Sequence, residues 1–175
     1  MPKVFEVDEE SKFEIWYKSP IQVLDKGIDH GCGGICALMV ALPLYERCYR
    51  YGVLNGVPDN RPLWVKNDLH LDSEEDAKIF WNVFRDGLCH TGSFFEESDK
   101  YEKGELPQIS LHGDYTHEPK FVRGHDIFII QLSPWKFCNH VLSKYKGNIG
   151  LLRYAKAPLL SLRVSIGDKK EGQNV

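Results

Sequence analysis

The heptapeptide Phe84-Arg85-Asp86-Gly87-Leu88-Cys89-His90 gathers three side chains that can share one reaction. Histidine has an ordinary pKa close to neutrality, so His90 can take or give a proton at physiological pH. Arg85 keeps its charge and offers a planar fork that fits phosphate oxygens. Asp86 stands four residues before His90; on a helix the two are neighbours, and a carboxylate there fixes the imidazole tautomer and raises its basicity. A base for a 2′-hydroxyl and a cation for the charge that grows on a phosphate are what metal-independent cleavage of RNA requires. The same three side chains also suit a plain salt-bridge and hydrogen-bond cluster at a helix end, where the dipole favours histidine.

A helix must carry them. Asp72 to Asp76 supply caps and first-turn acids, Ile79, Phe80, Val83, Phe84 and Leu88 form an apolar stripe, and Gly92 is the stop. On an ideal α-helix, residues five apart differ by about 140° and about 7.5 Å of rise, so Arg85 and His90 do not share a face. Gly87 within the spacer loosens the helix or admits a close neighbour.

Arginine, then Asn, Asp or His, then a short spacer and histidine, late in one helix and opposite a longer preceding helix, resembles the ribonuclease motif of the HEPN family (higher eukaryotes and prokaryotes nucleotide-binding). Gly87 departs from that family's more apolar spacer. The resemblance covers roughly residues 19–146 and, outside the motif, rests on pattern rather than identities. It implies a helical bundle forming a homodimer, with motifs from two protomers facing one cleft. It also implies metal-independent cleavage of single-stranded RNA without a cofactor, with Arg85, Asp86 and His90 as the catalytic set. A toxin or host-defence effector, with an antitoxin or other protein partner, is the implied setting. The alternative is a non-catalytic HEPN-like module that binds a nucleotide or a protein. Glu46 and Arg47 lie on the later turns of the preceding helix, where they can line the same cleft, but they are not assigned to it.

That preceding helix is expected from Ser19 (N-cap, with Pro20 in the first turn) to near Gly52, with weak points at Gly31 to Gly34 and at Pro43. The segment from Gly52 to Trp64 reads as a loop. Strands are expected at QISLH (108–112) and DIFIIQL (126–132), joined by a long turn-rich connection, and a third helix runs from Ser133-Pro134 to Gly147. Leu160, Leu162, Val164 and Ile166 alternate with polar residues as a C-terminal strand. The fold class is therefore mainly α: a bundle with a small β-hairpin or sheet and a C-terminal strand. At 175 residues this is one domain, with its core at about 19–146 and an extension at about 147–167.

The net charge of −3 conceals a polarity along the chain. Residues 127–167 contain no Asp or Glu and carry Lys136, Lys144, Lys146, Arg153, Lys156 and Arg163; the charges after Gly167 cancel, leaving −9 on residues 1–126. The basic stretch is an electrostatic footprint for RNA, with Lys136, Lys144, Lys146 and Arg153 as its contacts. The two regions are equally complementary surfaces for a protein partner.

Five irregularly spaced cysteines in a chain of this size read as reduced thiols. The acidic N-terminus lacks an apolar run, and nothing approaches a membrane span, so a cytoplasmic protein with no membrane partner is expected. His30, Cys32 and Cys36 fit no common zinc spacing and read as helix residues, so no metal is assigned. A hydrolase using Cys89 or Cys32 would need a histidine brought in by folding. GxSxG, P-loop and dinucleotide signatures are absent. His112, His117 and His125 flank the strands and can converge on a site. Trp16, Trp64, Trp81 and Trp135 read as core rather than base-stacking platforms.

Overall fold

Asp8 accepts a hydrogen bond from the Ser11 amide at 2.9 Å and so caps the first helix of the computed structural model, which describes residues 8–27, 32–92, 107–125 and 127–155. Helix α1 (Glu9–Phe13) continues through a π-helical turn, Glu14–Lys18, into α2 (Ser19–Gly27). The expected start at Ser19 is thus corrected, because Ser19 has helical dihedrals and lies inside the run. Phe13 stacks on Tyr145 at 4.6 Å, and that burial extends the helix past the local cap signal. The wide turn ends just before Pro20, which has no N–H to give to the ladder.

Helix α3 (Cys32–Leu54) runs through Pro43. Ala37, Leu38, Ala41, Leu42, Leu44 and Tyr45 are all fully buried and form a broad face of about 160°, with Cys36, Met39 and Arg50 exposed on the opposite side. The loop expected up to Trp64 is shorter: Asn60 caps α4 (Arg61–Asp68), accepting from the Leu63 amide at 3.1 Å, with Pro62 in the first turn. The Asn and Pro that read as loop are this helix's start signal. Ser73 then caps α5 (Glu74–Phe80), as expected, and the chain continues as a π-helix, Trp81–Thr91, that stops at Gly92 with φ 70°.

The sheet corrects the expected hairpin. β1 (Gln108–Leu111) pairs parallel to β3 (Phe128–Leu132), and β2 (Lys120–Arg123), inside the supposed connection, pairs antiparallel to β3 on its other side. β2 is a short edge strand with little burial, so its sequence carries no clear alternation. Ser133 caps α6 (Pro134–Tyr145), and Asn148 caps α7 (Ile149–Tyr154), which is helical where the extension was expected to be extended. The strand expected at Leu160 to Ile166 lies outside the described residues.

One hydrophobic cluster runs from Phe13 to Ala155, so the packed unit is larger than residues 19–146. It takes in Trp81, with Trp64 and Trp135 packed against it. The chain is mainly α with a small three-stranded sheet, and among the described residues no helix is long and apolar enough to cross a membrane. Arg47 ties both ends of the unit to α3, donating to Tyr17 Oη at 2.7 Å and to the Ala155 carbonyl at 2.5 Å.

Helices α3 and α6 meet closely because Gly34 has no side chain: a Cβ there would lie 2.9 Å from Pro134 Cγ. Gly34→Val is expected to lower stability in urea unfolding by about 1–3 kcal/mol through overpacking. Gly113→Ala, with no atom within 4 Å of the added Cβ, serves as the neutral control. Equal midpoints for the two variants would contradict this packing.

Candidate functional site

The heptapeptide lies in the π-helix Trp81–Thr91. Phe84 and Leu88 are buried in the core and Gly87 is buried beside them. In an i→i+5 ladder, residues five apart stand one turn above each other, so positions 85 and 90 share a side of the helix that an α-helix would deny them. His90 is described only in its backbone.

Arg85 reaches across to α3. Its Nε donates to Glu46 Oε2 at 2.7 Å and its Nη2 engages the same oxygen, while Asp86 Oδ1 lies 3.6 Å from Nη1. Glu46 and Arg85 are 14% and 15% exposed, so each shields the other's charge from a poor solvent, and removing one partner would strand the other. The second Glu46 oxygen, Oε1, accepts from Arg50 Nε at 2.8 Å, with Arg50 Nη2 also at 2.8 Å. Burial alone would raise the Glu46 carboxyl, but the hydrogen bonds from Arg50 and Arg85 outweigh it and hold the pKa below its ordinary value. Of the two residues named beside the motif, Glu46 therefore joins Arg85, whereas Arg47 turns to Tyr17 and Ala155.

The basic residues of the last third have other neighbours. Lys136 donates to the Asp114 carbonyl at 3.3 Å, and Lys144 pairs with Asp68 beside the Trp64 ring. Lys146 lines a pocket of about 350 Å³ with Phe13, Glu14 and Ile21, and Arg153 is exposed on α7. None of these neighbourhoods includes Glu46 or Arg85.

A second polar cluster was not visible in the sequence. Asp68, at the end of α4, accepts from Tyr45 Oη at 2.8 Å, lies 3.0 Å from His140 Nε2, and pairs with Lys144. Burial would raise its carboxyl, yet the hydrogen bonds from His140, Lys144 and Tyr45 bring it down to about 2. The His140 ring stacks on His117 at 4.5 Å. Beside them His70, held at a positive φ of 50°, bonds Glu118 at 2.7 Å. Of the three histidines expected to converge, only His117 does so; His112 sits with Asp114 and Tyr115, and His125 is exposed in the β2–β3 turn.

Two of the cysteines are poor nucleophiles. Burial pushes the Cys89 thiol up to about 11, so it stays protonated at neutral pH, and Cys48 behaves alike. Cys32 is described only in its backbone, and His30 lies outside the described residues. Cys36, Cys48, Cys89 and Cys138 are free thiols.

Burial and then repulsion from His140 lower the His117 pKa, against an opposing pull from Glu118; His70 and Asp68 face it as well. A histidine depressed in the folded state binds fewer protons than in the unfolded chain, so stability falls as pH drops through its unfolded value of 6.5. The urea midpoint is expected to be lower at about pH 5.5 than at about pH 7.5, and His117→Gln to shrink that difference; Asp68 contributes only in a separate window below about pH 4. An undiminished difference in the variant would contradict the assignment.

Comparison with protein-family models, with curated proteins and with solved structures returns no match.

Proposed function

We propose that the chain is a HEPN-like, metal-independent endoribonuclease that cleaves single-stranded RNA as a homodimer. His90 is its base or acid, Arg85 its phosphate ligand, and Asp86 the residue that orients His90. The observation that carries this reading is the π winding of Trp81–Thr91, which brings positions 85 and 90 to one side of the helix despite their five-residue spacing. In the reaction a base takes the 2′-hydroxyl proton, the oxygen attacks the adjacent phosphorus, and the 5′-oxygen leaves as a protonated hydroxyl. A 2′,3′-cyclic phosphate remains. A guanidinium beside that phosphorus stabilises the charge that grows on its oxygens. A toxin or host-defence effector, restrained by an antitoxin or another protein, is the setting that fits such an activity.

The second reading, a non-catalytic module that binds a nucleotide or a protein, is favoured by one observation: Arg85 already engages a half-buried carboxylate, as a structural arginine would.

The two separate cleanly. Purified full-length protein is expected to cleave single-stranded RNA in the presence of a chelator, and His90→Ala to lower the rate by about 100-fold or more, the scale of a lost general base. Arg85→Lys keeps a charge against Glu46 and so tests the fork geometry without stranding the carboxylate. RNA left intact by the wild-type protein across pH and salt would overturn the catalytic reading.

A further inference from the structure

The imidazole rings of His117 and His140 lie face to face, with 4.5 Å between centroids and 22° between planes. Helix α6 brings His140 and is fixed in the core by Phe137, Cys138 and Val141, all fully buried. His117 sits in the β1–β2 connection, where His112, Gly113, Asp114 and Thr116 are exposed. That segment is tied down one residue away, where the Thr116 carbonyl accepts from the Ser133 amide at 2.9 Å. His117 is therefore the less anchored of the two. Asp68 is ionised and can only accept, so His140 Nε2, 3.0 Å from Asp68 Oδ2, carries a hydrogen, and in the neutral ring Nδ1 is bare. Acidification therefore places the new proton on the opposite nitrogen. The charged and titratable groups facing the stack are Asp68 at the end of α4, His70 in the α4–α5 turn, Glu118 beside His117, and Lys144 on α6. Tyr45 and Cys48, on α3, are kept neutral by burial. With the imidazoles of His70, His117 and His140 neutral, Lys144 stands against two carboxylates. With all of them protonated, four cations stand against the same two. Asp68 is already shared by Lys144 and His140, and Glu118 bonds His70 at 2.7 Å, so neither carboxylate bonds His117.

We infer that His117 is a pH-operated cover on the Asp68–His140 pair: neutral, its ring lies on His140; once both rings are protonated it leaves, and the oriented imidazole of His140 opens to solvent. Repulsion between two imidazolium rings in contact drives the release. Glu118 stays in place, because a proton on His70 turns their hydrogen bond into an ion pair, and the movement is confined to the His117 side chain. Burial and the neighbouring His140 lower the His117 pKa, in keeping with a stack that favours the neutral ring. The device is local: one ring leaves while the core stays folded. It is independent of whether the π-helix carries a ribonuclease.

The test is an NMR titration of the isotope-labelled full chain from about pH 8 to about pH 5, the range in which histidine changes charge. It follows the ring nitrogens of His117 and His140 together with the cross-peak between their two rings. At the alkaline end His140 is expected to carry its hydrogen on Nε2, and the cross-peak to be strong. Once both rings are protonated the cross-peak is expected to vanish, while the one between the Phe13 and Tyr145 rings of the core persists. His140→Phe keeps a flat ring for the stack and removes its proton. There the His117 midpoint is expected to rise and the cross-peak to survive, because a protonated imidazole is attracted to a neutral aromatic face. A wild-type cross-peak that persists with both rings protonated overturns the cover. So does its loss together with the Phe13–Tyr145 contact, which is global unfolding, or its loss at the same pH in His140→Phe. The wild-type titration decides on its own if His140→Phe does not fold.

Discussion

Helix α3 is the constraint on which the rest of the described fold depends. Helices α2, α6 and α7 and the π-helix Trp81–Thr91 all pack on it, and its buried positions cover about half of its circumference. Gly34, Ala37 and Ala41 let neighbours approach, while Leu38, Leu42 and Tyr45 fill the space between them. Polar side chains at the margin of that buried face are half-buried, and each needs a partner to offset its lost hydration. Arg47 finds Tyr17 and Ala155, and Glu46 finds Arg85 and Arg50. The candidate site therefore follows from where α3 meets the π-helix Trp81–Thr91.

Two half-buried carboxylates each gather more than one partner, and the buried Asp76 holds Arg123. Asp68 gathers Lys144, His140 and Tyr45 on one side of the molecule, and Glu46 gathers Arg85 and Arg50 elsewhere. The sequence polarity of −9 against +6 is thus partly internal to the fold. Lys144 neutralises an acid from the N-terminal part, and Lys136 satisfies a loop carbonyl. A basic stretch in sequence is not a basic surface, because each side chain answers to its own neighbours in space.

What was legible in the sequence was local. Ser73, Ser133 and Gly92 act within a turn of their own position, and the structure uses each as a helix signal. The Asp8 start, α4 and β2 escaped because Phe13 and Tyr145, Asn60 and Leu63, and Phe121 and Ile130 draw their meaning from packing or from caps that resemble turns. The π winding was also hidden: hydrophobic periodicity distinguishes helix from strand, not an i→i+5 ladder from an i→i+4 one. Glu46 could be named because α3 was visible as a helix. Arg50 was missed because an arginine four residues after a glutamate reads as an ordinary surface pair. The Asp68 and His140 pair spans 72 residues and left no local trace.

The most direct measurement is a crystal structure of the His90→Ala protein with a short single-stranded RNA carrying a 2′-deoxy substitution at the scissile nucleotide. The proposed function predicts a phosphate hydrogen-bonded to Arg85, with positions 85 and 90 on one side of an intact π-helix Trp81–Thr91. RNA seated away from Arg85, or positions 85 and 90 on opposite sides of a regular α-helix, would contradict it.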